Sequence, residues 1–598
     1  MTPLQCRSGM NFVVGKVANH PPGPILSERD CLNLTKTVRT NNSQNEQSNS
    51  LWADSQIHPR EAPYAVSKPT TAPHGEDLPN KAPLDGALTD AASPSNGGQL
   101  AEPHNLPVRG APGSFRELLA IAVPLIVSSG TQSMMYVIDR VFLTWHSEAA
   151  VAAALPAGML FWSLLSLPFG VVSYGNAFVA QYDGARQPGR AASCVWQTAY
   201  LAVASGLVLT IPALWSAGLF QLIGHGEDVQ RLETEYFSWI CMGAVPALLS
   251  AALSCFFSGR GQTRLVLAVN ASSMLVNVVL DYAMIFGWGP IPALGMTGAA
   301  IATNLASVFA ACCYVVLLTR RDARVTYSFW KHWRFDRILM RDLFKFGGAS
   351  GLQMFLDVAG FSAFMMIIGW IGQRELAATN IAFNINTLAF LPVVGVGIAV
   401  STLVGQRIGE GRPDIAEKSV YKAFVLAGGI MLLCGAVYVL APQILLAPYE
   451  YGANNRSANV KAPVAATPAT ATLTDSPRKP DFAEVRSVVI VLLRFVAIYS
   501  FFDAMAIIFG SAIRAAGDTA FSMVVTFVCA WGLLVLPTYL TWTHFGRERQ
   551  SELLFWSWVW CSVYVFALGF IYYARFRGGH WKTMSVIEPE AVFHDEAA

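Results

Sequence analysis

The chain has 598 residues, 53% of them hydrophobic and only 13% Asp, Glu, Lys or Arg, about half the roughly 25% of an ordinary soluble domain. So few charges cannot cover a soluble surface, and most of the chain must therefore face lipid. The net charge of +2, without a basic stripe interleaved with aromatics, excludes a nucleic-acid partner, and ten cysteines without C-x-x-C spacing give neither a zinc site nor a disulfide framework.

Residues 1–110 hold 13 of the 32 prolines, with Asn/Ser tracts such as N-N-S-Q-N-E-Q-S-N-S at 41–50. No apolar run there could pack, so 1–113 is expected to be a disordered tail. It lacks the apolar stretch after a basic start that marks a signal peptide. A misassigned start is the other reading of this tail. It would need a non-Met initiation codon, since Met10 is the only other methionine before Met134.

From Ser114 to about Arg577, apolar stretches recur between short polar breaks. The expected spans are 117–143, 153–179, 191–215, 236–257, 265–287, 297–318, 343–369, 376–403, 420–441, 487–513, 520–542 and 553–574. Each is near or above the ~20 residues a helix needs to cross a bilayer. The run L-A-V-A-S-G-L-V-L-T-I-P-A-L-W-S-A-G-L at 201–219 has no polar face at helical spacing. Prolines inside the spans (124, 156, 168, 212, 246 and 392) suit kinked membrane helices. The expected fold is all-α, with twelve transmembrane helices. It divides into an N-lobe at 114–320, a linker at 321–342, a C-lobe at 343–577 with an insertion at 449–484, and a tail at 578–598.

Basic residues set the orientation. The break between spans six and seven carries Arg320, Arg321, Arg324, Lys331, Arg334, Arg337, Arg341 and Lys345; breaks two, four and eight are also basic. Break three instead carries Glu227, Asp228, Glu233 and Glu235 with one Arg. Even-numbered breaks, and with them both termini, are expected in the cytoplasm.

The chain also repeats itself. V-A-Q-Y-D-G-A-R-Q-P-G at 179–189 aligns with V-G-Q-R-I-G-E-G-R-P-D at 404–414, pairing Gln181 with Gln406, Gly184 with Gly409 and Pro188 with Pro413. S-G-R-G-Q-T at 258–263 likewise aligns with I-R-A-A-G-D-T at 513–519, pairing Gly261 with Gly517 and Thr263 with Thr519. Two six-helix halves of the same orientation imply a pseudo-twofold axis along the membrane normal and a cavity between two lobes, which is transporter architecture.

Ionisable residues inside the spans are scarce: Asp139, Arg140, Asp281, Asp357, Arg494 and Asp503. A charge at the bilayer centre costs about 2.5–3.5 kcal/mol even on insertion scales, so each is a functional candidate. Asp357 and Asp503 fall near mid-membrane, while Asp139 and Asp281 lie toward the outer side. Asn277 sits one turn from Asp281 on the same face. Both arginines read as structural. For any one aspartate a buried structural carboxylate is as good a reading. Four of them, two per half, favour ion coupling, since such a carboxylate can take a proton, Na⁺ or an organic cation.

At this point the residues resemble a known family. S-G-R-G-Q-T-R-L-V-L-A-V-N-A-S-S-M-L-V-N-V-V-L-D-Y-A-M-I-F-G, the later L-G-M-T-G-A-A-I-A-T and the two Gln-containing loops after spans two and eight resemble the MATE (multidrug and toxic compound extrusion) family, in its bacterial NorM/DinF-like form. The likeness covers about 114–575. It implies a two-lobed fold of the MATE/MOP type and an antiporter that exports organic cations or drugs against H⁺ or Na⁺. No other cofactor is implied, and a monomer in the cell membrane is expected. By that resemblance Pro124 is the first-helix hinge. Asp139, Asn277, Asp281 and Thr303 form the N-lobe cation site, with Na⁺ possible at the first three, and Asp357 and Asp503 form its C-lobe counterpart. Asn380 and Asn384 would line the C-lobe cavity, while Trp162, Phe383 and Phe390 are more simply packing residues than stacking platforms. Arg140 beside Asp139, and Asp rather than Glu at 357, depart from the family pattern. The rival within the wider superfamily is a lipid-linked oligosaccharide or polysaccharide flippase. The rival of another class, an intramembrane enzyme, lacks any H-E-x-x-H or Ser/His pairing within a span.

Overall fold

The computed structural model describes residues 111–223, 226–450, 482–545 and 549–587. Most of the expected N-terminal tail, most of the 449–484 insertion and the last eleven residues lie outside the described residues. Twelve helices are long and apolar enough to cross a membrane: α1 (Phe115–His146), α2 (Ala153–Gly184), α3 (Pro188–Leu214), α4 (Glu227–Gly259), α5 (Thr263–Phe286), α6 (Met296–Leu318), α7 (Arg337–Ile371), α8 (Gln373–Gly409), α9 (Pro413–Leu440), α10 (Phe482–Ala516), α11 (Thr519–His544) and α12 (Gln550–Arg577). Every expected span is present.

The helix ends run past the apolar stretches where local chemistry favours it. The acidic stretch of break three is helix rather than loop, because Glu227 and Asp228 fall in the first turn of α4, where acids suit the helix dipole. Helix α7 starts six residues before the expected span. The Asp336 carboxylate accepts the free N–H groups of Ile338 (3.0 Å) and Leu339 (3.1 Å) there and caps it.

The repeat extends to the backbone. Arg186 and Gly411 hold corresponding places in the α2–α3 and α8–α9 turns, and both are left-handed, at φ 58° and 70°. Glycine takes that conformation without strain, whereas an arginine rarely does. Pro188 and Pro413 then open α3 and α9, at the one place in a helix where proline loses nothing.

The lobes meet through α1 on α8 and α2 on α7, pairings that exchange under the repeat, and the lower part of α2 also lies on α8. The first turns of α1 (Leu118, Ile121, Ala122 and Leu125) are built into the C-lobe core. The backbones of α2 and α8 cross closely near their basic ends. A methyl group on Gly184 would stand 2.1 Å from the Gln406 carbonyl oxygen, and one on Gly409 2.1 Å from that of Gln181. Beside them Gln181 Nε2 donates to the Ala515 carbonyl (2.8 Å) and Gln406 Nε2 to the Gly259 carbonyl (3.1 Å). These two bonds are images of each other, since the repeat pairs 181 with 406 and 259 with 515.

Further polar contacts close the same end. Arg407 pairs with both Glu117 and Glu410. Asp183 accepts from Tyr327 Oη (2.6 Å) and Gln406 Nε2 (3.2 Å). Residues after α12 cross from one lobe to the other: Trp581 stacks on Phe576, and Ser585 Oγ (2.9 Å) and the Val586 N–H (3.0 Å) both donate to Gln181 Oε1. Val586 and Ile587 are buried with Tyr174 and Phe178 of the N-lobe. Among the described residues, every hydrogen bond between the lobes lies at this basic end.

Gly184→Ala is expected to destabilise this arrangement by about 1–3 kcal/mol, the usual cost of overpacking. Gly130→Ala, whose methyl group would meet nothing within 4 Å, serves as the control. Thermal unfolding of both variants in detergent checks the difference, and equal melting temperatures would refute it.

Candidate ion and substrate site

Helix α5 carries Asn270, Ser273, Asn277 and Asp281 at spacings of three and four residues, so they form one polar ladder along a single face. Its lower rungs are satisfied. Asn270 Nδ2 donates to Ser128 Oγ of α1 (2.7 Å), Asn270 Oδ1 accepts from Tyr314 Oη of α6 (3.4 Å), and Ser273 Oγ donates to the Ala306 carbonyl (2.8 Å).

The upper rungs are different. Asn277 and Asp281 are completely buried, and none of their four side-chain nitrogen and oxygen atoms has a hydrogen-bond partner among the described residues. Asp139 Oδ1, facing them from α1, also has none. Asp139 lies against Asp281 and against Thr303 of α6, and Asp281 lies against Asn277. The four N-lobe residues expected from the sequence are therefore brought together. Thr303 Oγ1 spends its proton on the Ala299 carbonyl (3.0 Å), which leaves its lone pairs free. Tyr136 and Tyr236 lie within electrostatic reach of Asp139 and were not anticipated. Arg140 is exposed, and among the described residues no ion pair ties it to Asp139.

Five buried, unpartnered polar atoms on three adjacent side chains are a large unmet demand. Each group left unsatisfied costs about 1–3 kcal/mol, and more when charged. A proton shared between the facing carboxylates would meet it by turning one oxygen into a donor. So would a small hard cation held by carboxylate, amide and hydroxyl oxygens. The donors are carboxylate, amide and hydroxyl oxygens, which suit a hard cation rather than a soft transition metal.

The C-lobe site is organised otherwise. Asp357 of α7 accepts a hydrogen bond from Tyr564 Oη of α12 (2.6 Å), and Asp503 of α10 stands within electrostatic reach of it. Below them Gln353 Nε2 donates to Tyr572 Oη (3.4 Å), and that hydroxyl also pairs with Thr526 Oγ1 (2.9 Å) and the Ser522 carbonyl (3.1 Å). Tyr564 and Tyr572 escaped the sequence reading, although their separation of eight residues puts them on one face of α12. Asn380 is half-buried and Asn384 exposed, and neither hydrogen-bonds to the two aspartates; buried Asn386, with Oδ1 unpartnered, is the more conspicuous amide of α8. Phe383 stacks on Trp558 (ring centroids 5.0 Å apart, 19° between planes) and meets Phe361 edge-on, so it belongs to the packed interior. Trp162 leans on Phe169, and Phe390 is exposed. Pro124 is buried within an uninterrupted α1, and Arg494 is exposed on α10.

The MatE family model matches residues 124–283 and again 349–457, two matches that begin 225 residues apart, as do Gln181 and Gln406. Each half of the chain thus matches the MATE family. Its relatives include the probable multidrug resistance protein NorM of Thermotoga maritima, 22% identical over 493 residues, covering 81% of this chain and 97% of that protein. The multidrug resistance protein PmpM of Pseudomonas aeruginosa is 24% identical over 422 residues, covering 70% and 82%. Among solved structures, a multidrug resistance MATE transporter of the MOP superfamily in an outward-facing conformation superposes with a TM-score of 0.67 at 18% identity, covering 80% of this chain and 98% of that one. A MOP superfamily transporter from Pyrococcus furiosus, described by a binding pocket of reverse polarity that suggests a different function, gives 0.66 at 18% identity over the same shares. These likenesses show the two-lobed MATE fold, and the family is one of membrane transporters, not enzymes.

Unmet polar demand is a store of instability, so relieving it should stabilise this protein. The double substitution Asn277→Leu/Asp281→Leu is expected to raise the melting temperature of the purified protein by several degrees, as with buried charges replaced by apolar residues of similar size. A lower melting temperature would mean that the site is already satisfied.

Proposed function

We propose that the protein exports organic cations, drugs among them, in exchange for H⁺ or Na⁺ by alternating access between its two lobes. The observation that carries this reading is the unpartnered Asp139–Asn277–Asp281 cluster, deep in one lobe of a protein whose other end is shut by hydrogen bonds. A bound ion satisfies the cluster, and an organic cation competes for the same negative charge. The names of the multidrug resistance relatives support the substrate class. By the distribution of basic residues the shut end faces the cytoplasm of the cell membrane, with both termini there. The protein works as a monomer, because each chain already holds both lobes and both carboxylate clusters.

The flippase reading would need cationic side chains at mid-membrane to hold a pyrophosphate. The membrane-spanning region here offers Asp139, Asp281, Asp357 and Asp503 instead, and the half-buried Arg514 sits close to the shut end of α10. The decisive measurement is ethidium efflux from proteoliposomes under an imposed pH or Na⁺ gradient. Asp281→Asn and Asp139→Asn should each slow efflux at least about tenfold, as expected when a buried charge-assisted interaction is lost. Undiminished efflux in both variants would remove the N-lobe site from the mechanism. Movement of a lipid-linked sugar without any cation efflux would replace the function itself.

Alternation requires the bonds at the shut end to break. Truncation after Gly579 removes the donors that satisfy Gln181 Oε1 and should increase opening toward the cytoplasm. A cysteine placed at Ala180, labelled from that side with an impermeant maleimide, should then react faster than in the full-length chain. An unchanged labelling rate would show that the crossing segment plays no part in closure.

A further inference from the structure

The connector between α6 and α7, taken with the first turns of α7, carries eight basic residues between 320 and 345, more than orientation in the membrane requires, and it is not loosely tethered. It lies along α3. Trp196 Nε1 donates to the Phe329 carbonyl (2.9 Å), Gln197 Nε2 to the Arg334 carbonyl (2.9 Å), and Tyr200 Oη to the Trp333 carbonyl. Arg190, in the first turn of the same helix, pairs with Asp336 at 2.7 Å. From Arg190 to Tyr200 is about 15 Å along the helix axis. Further along, α3 exposes Leu207 and Val208, a surface suited only to lipid.

The inner side of the connector is fixed. Phe329 is buried against Trp196 and Phe256. Its outer side is not a soluble surface: Trp333 is 59% exposed, Phe335 60%, Ile338 56% and Trp330 43%. Between these apolar groups stand Lys331, Arg334 and Arg337, none of which has a carboxylate within ion-pair distance among the described residues. Asp336, the one acid among them, is already engaged by Arg190 and by the first turn of α7. The basic side chains line an open depression of about 500 Å³ together with Ser193, His332, Phe335, Ile338 and the already engaged Asp336.

We propose that this connector is a binding site for an anionic phospholipid. Its phosphate headgroup sits among Lys331, Arg334 and Arg337, and Trp330, Trp333 and Phe335 enter the interface between headgroups and acyl chains. Each half of the surface demands this occupant. Exposed tryptophans beside a membrane helix gain most at the headgroup level. Unpaired lysine and arginine there meet the negative charge of the leaflet, and the guanidinium groups bind phosphate oxygens in pairs. A soluble acidic protein would satisfy the charges but leave the aromatics in water. A second copy of the chain would bring cation against cation.

The full-length protein in nanodiscs of phosphatidylcholine with a minority of phosphatidylglycerol, released for native mass spectrometry, tests the proposal. The wild-type chain should retain phosphatidylglycerol over phosphatidylcholine. Lys331→Ala/Arg334→Ala/Arg337→Ala should cut that preference at least about fivefold, given what each basic residue contributes near a charged leaflet. Arg320→Ala/Arg321→Ala/Arg324→Ala, on the same connector but away from the pocket, should keep it. If the pocket triple variant fails to fold, the single exposed change Lys331→Glu carries the same expectation. Trp333→Ala should weaken retention of both lipids alike. The proposal is overturned if the pocket variants keep the wild-type preference, if inorganic phosphate alone displaces the retained phosphatidylglycerol, or if the connector is covered by a second copy in lipid-free dimers.

Discussion

The contact on which the rest depends is the crossing of α2 and α8 at Gly184 and Gly409. There two helix backbones approach so closely that a single methyl group on either would strike a carbonyl oxygen of the other. The approach brings Gln181 and Gln406 to opposite lobes, where each amide donates to a carbonyl at the end of a helix, Ala515 of α10 and Gly259 of α4. Those carbonyls would otherwise be among the unpaired acceptors that end every helix. One pair of small residues thus allows the approach, and one pair of amides makes it stable. Because the crossing shuts one end, it also decides from which side the carboxylates of both lobes can be reached.

The contacts around the crossing are of two kinds. The glutamine bonds obey the repeat and are inherited twice from one half-sized ancestor. The others break it: Arg407 with Glu117, Tyr327 with Asp183, and Ser585 and Val586 with Gln181. Two of them come from segments only one half possesses, the connector and the end of the chain, and the third joins α1 to α8 without a counterpart between α7 and α2 among the described residues. A symmetric crossing alone would favour neither lobe, whereas the added contacts all act on closure at one end. Buried pairs such as Arg407 with Glu117 contribute little net stability, since desolvation offsets most of the attraction. Losing one partner is costly, however, because it leaves the other charge buried and unpaired.

Much of this was legible in the amino-acid sequence because lipid imposes simple rules. A helix crossing a bilayer needs about twenty apolar residues, so twelve spans could be counted and all twelve are present. The cost of a charge in lipid pointed at Asp139, Asp281, Asp357 and Asp503, and helical spacing joined Asn277 to Asp281. Alignment of the halves matched Gly184 with Gly409 but gave no sign that the two lie at one crossing, since a repeat states equivalence and not proximity. The hydroxyl of Tyr564 on Asp357 was invisible for the same reason: α7 and α12 are two hundred residues apart, and their contact depends on the packing of the whole C-lobe. The connector looked like a loop because its basic residues were read as orientation signals. Its course along α3 is set by carbonyl groups, which every residue has and no sequence pattern reveals.

The two carboxylate sites, one in each lobe, differ in demand. Asp357 has the Tyr564 hydroxyl as a partner, and the polar side chains beneath it are joined through Tyr572. Asn277 and Asp281 lie against each other, yet among the described residues their polar atoms have no hydrogen bond of good geometry, while Asn270 and Ser273 lower on α5 are satisfied. An ion gains most where the protein alone provides least, so coupling is expected to centre on the N-lobe, with the hydroxyl-buffered C-lobe free to serve the larger cargo. The duplication supplied two equal scaffolds. What distinguishes them is that Tyr564 and Tyr572 donate into the polar cluster of the C-lobe, whereas Thr303 beside Asp139 spends its proton on its own helix.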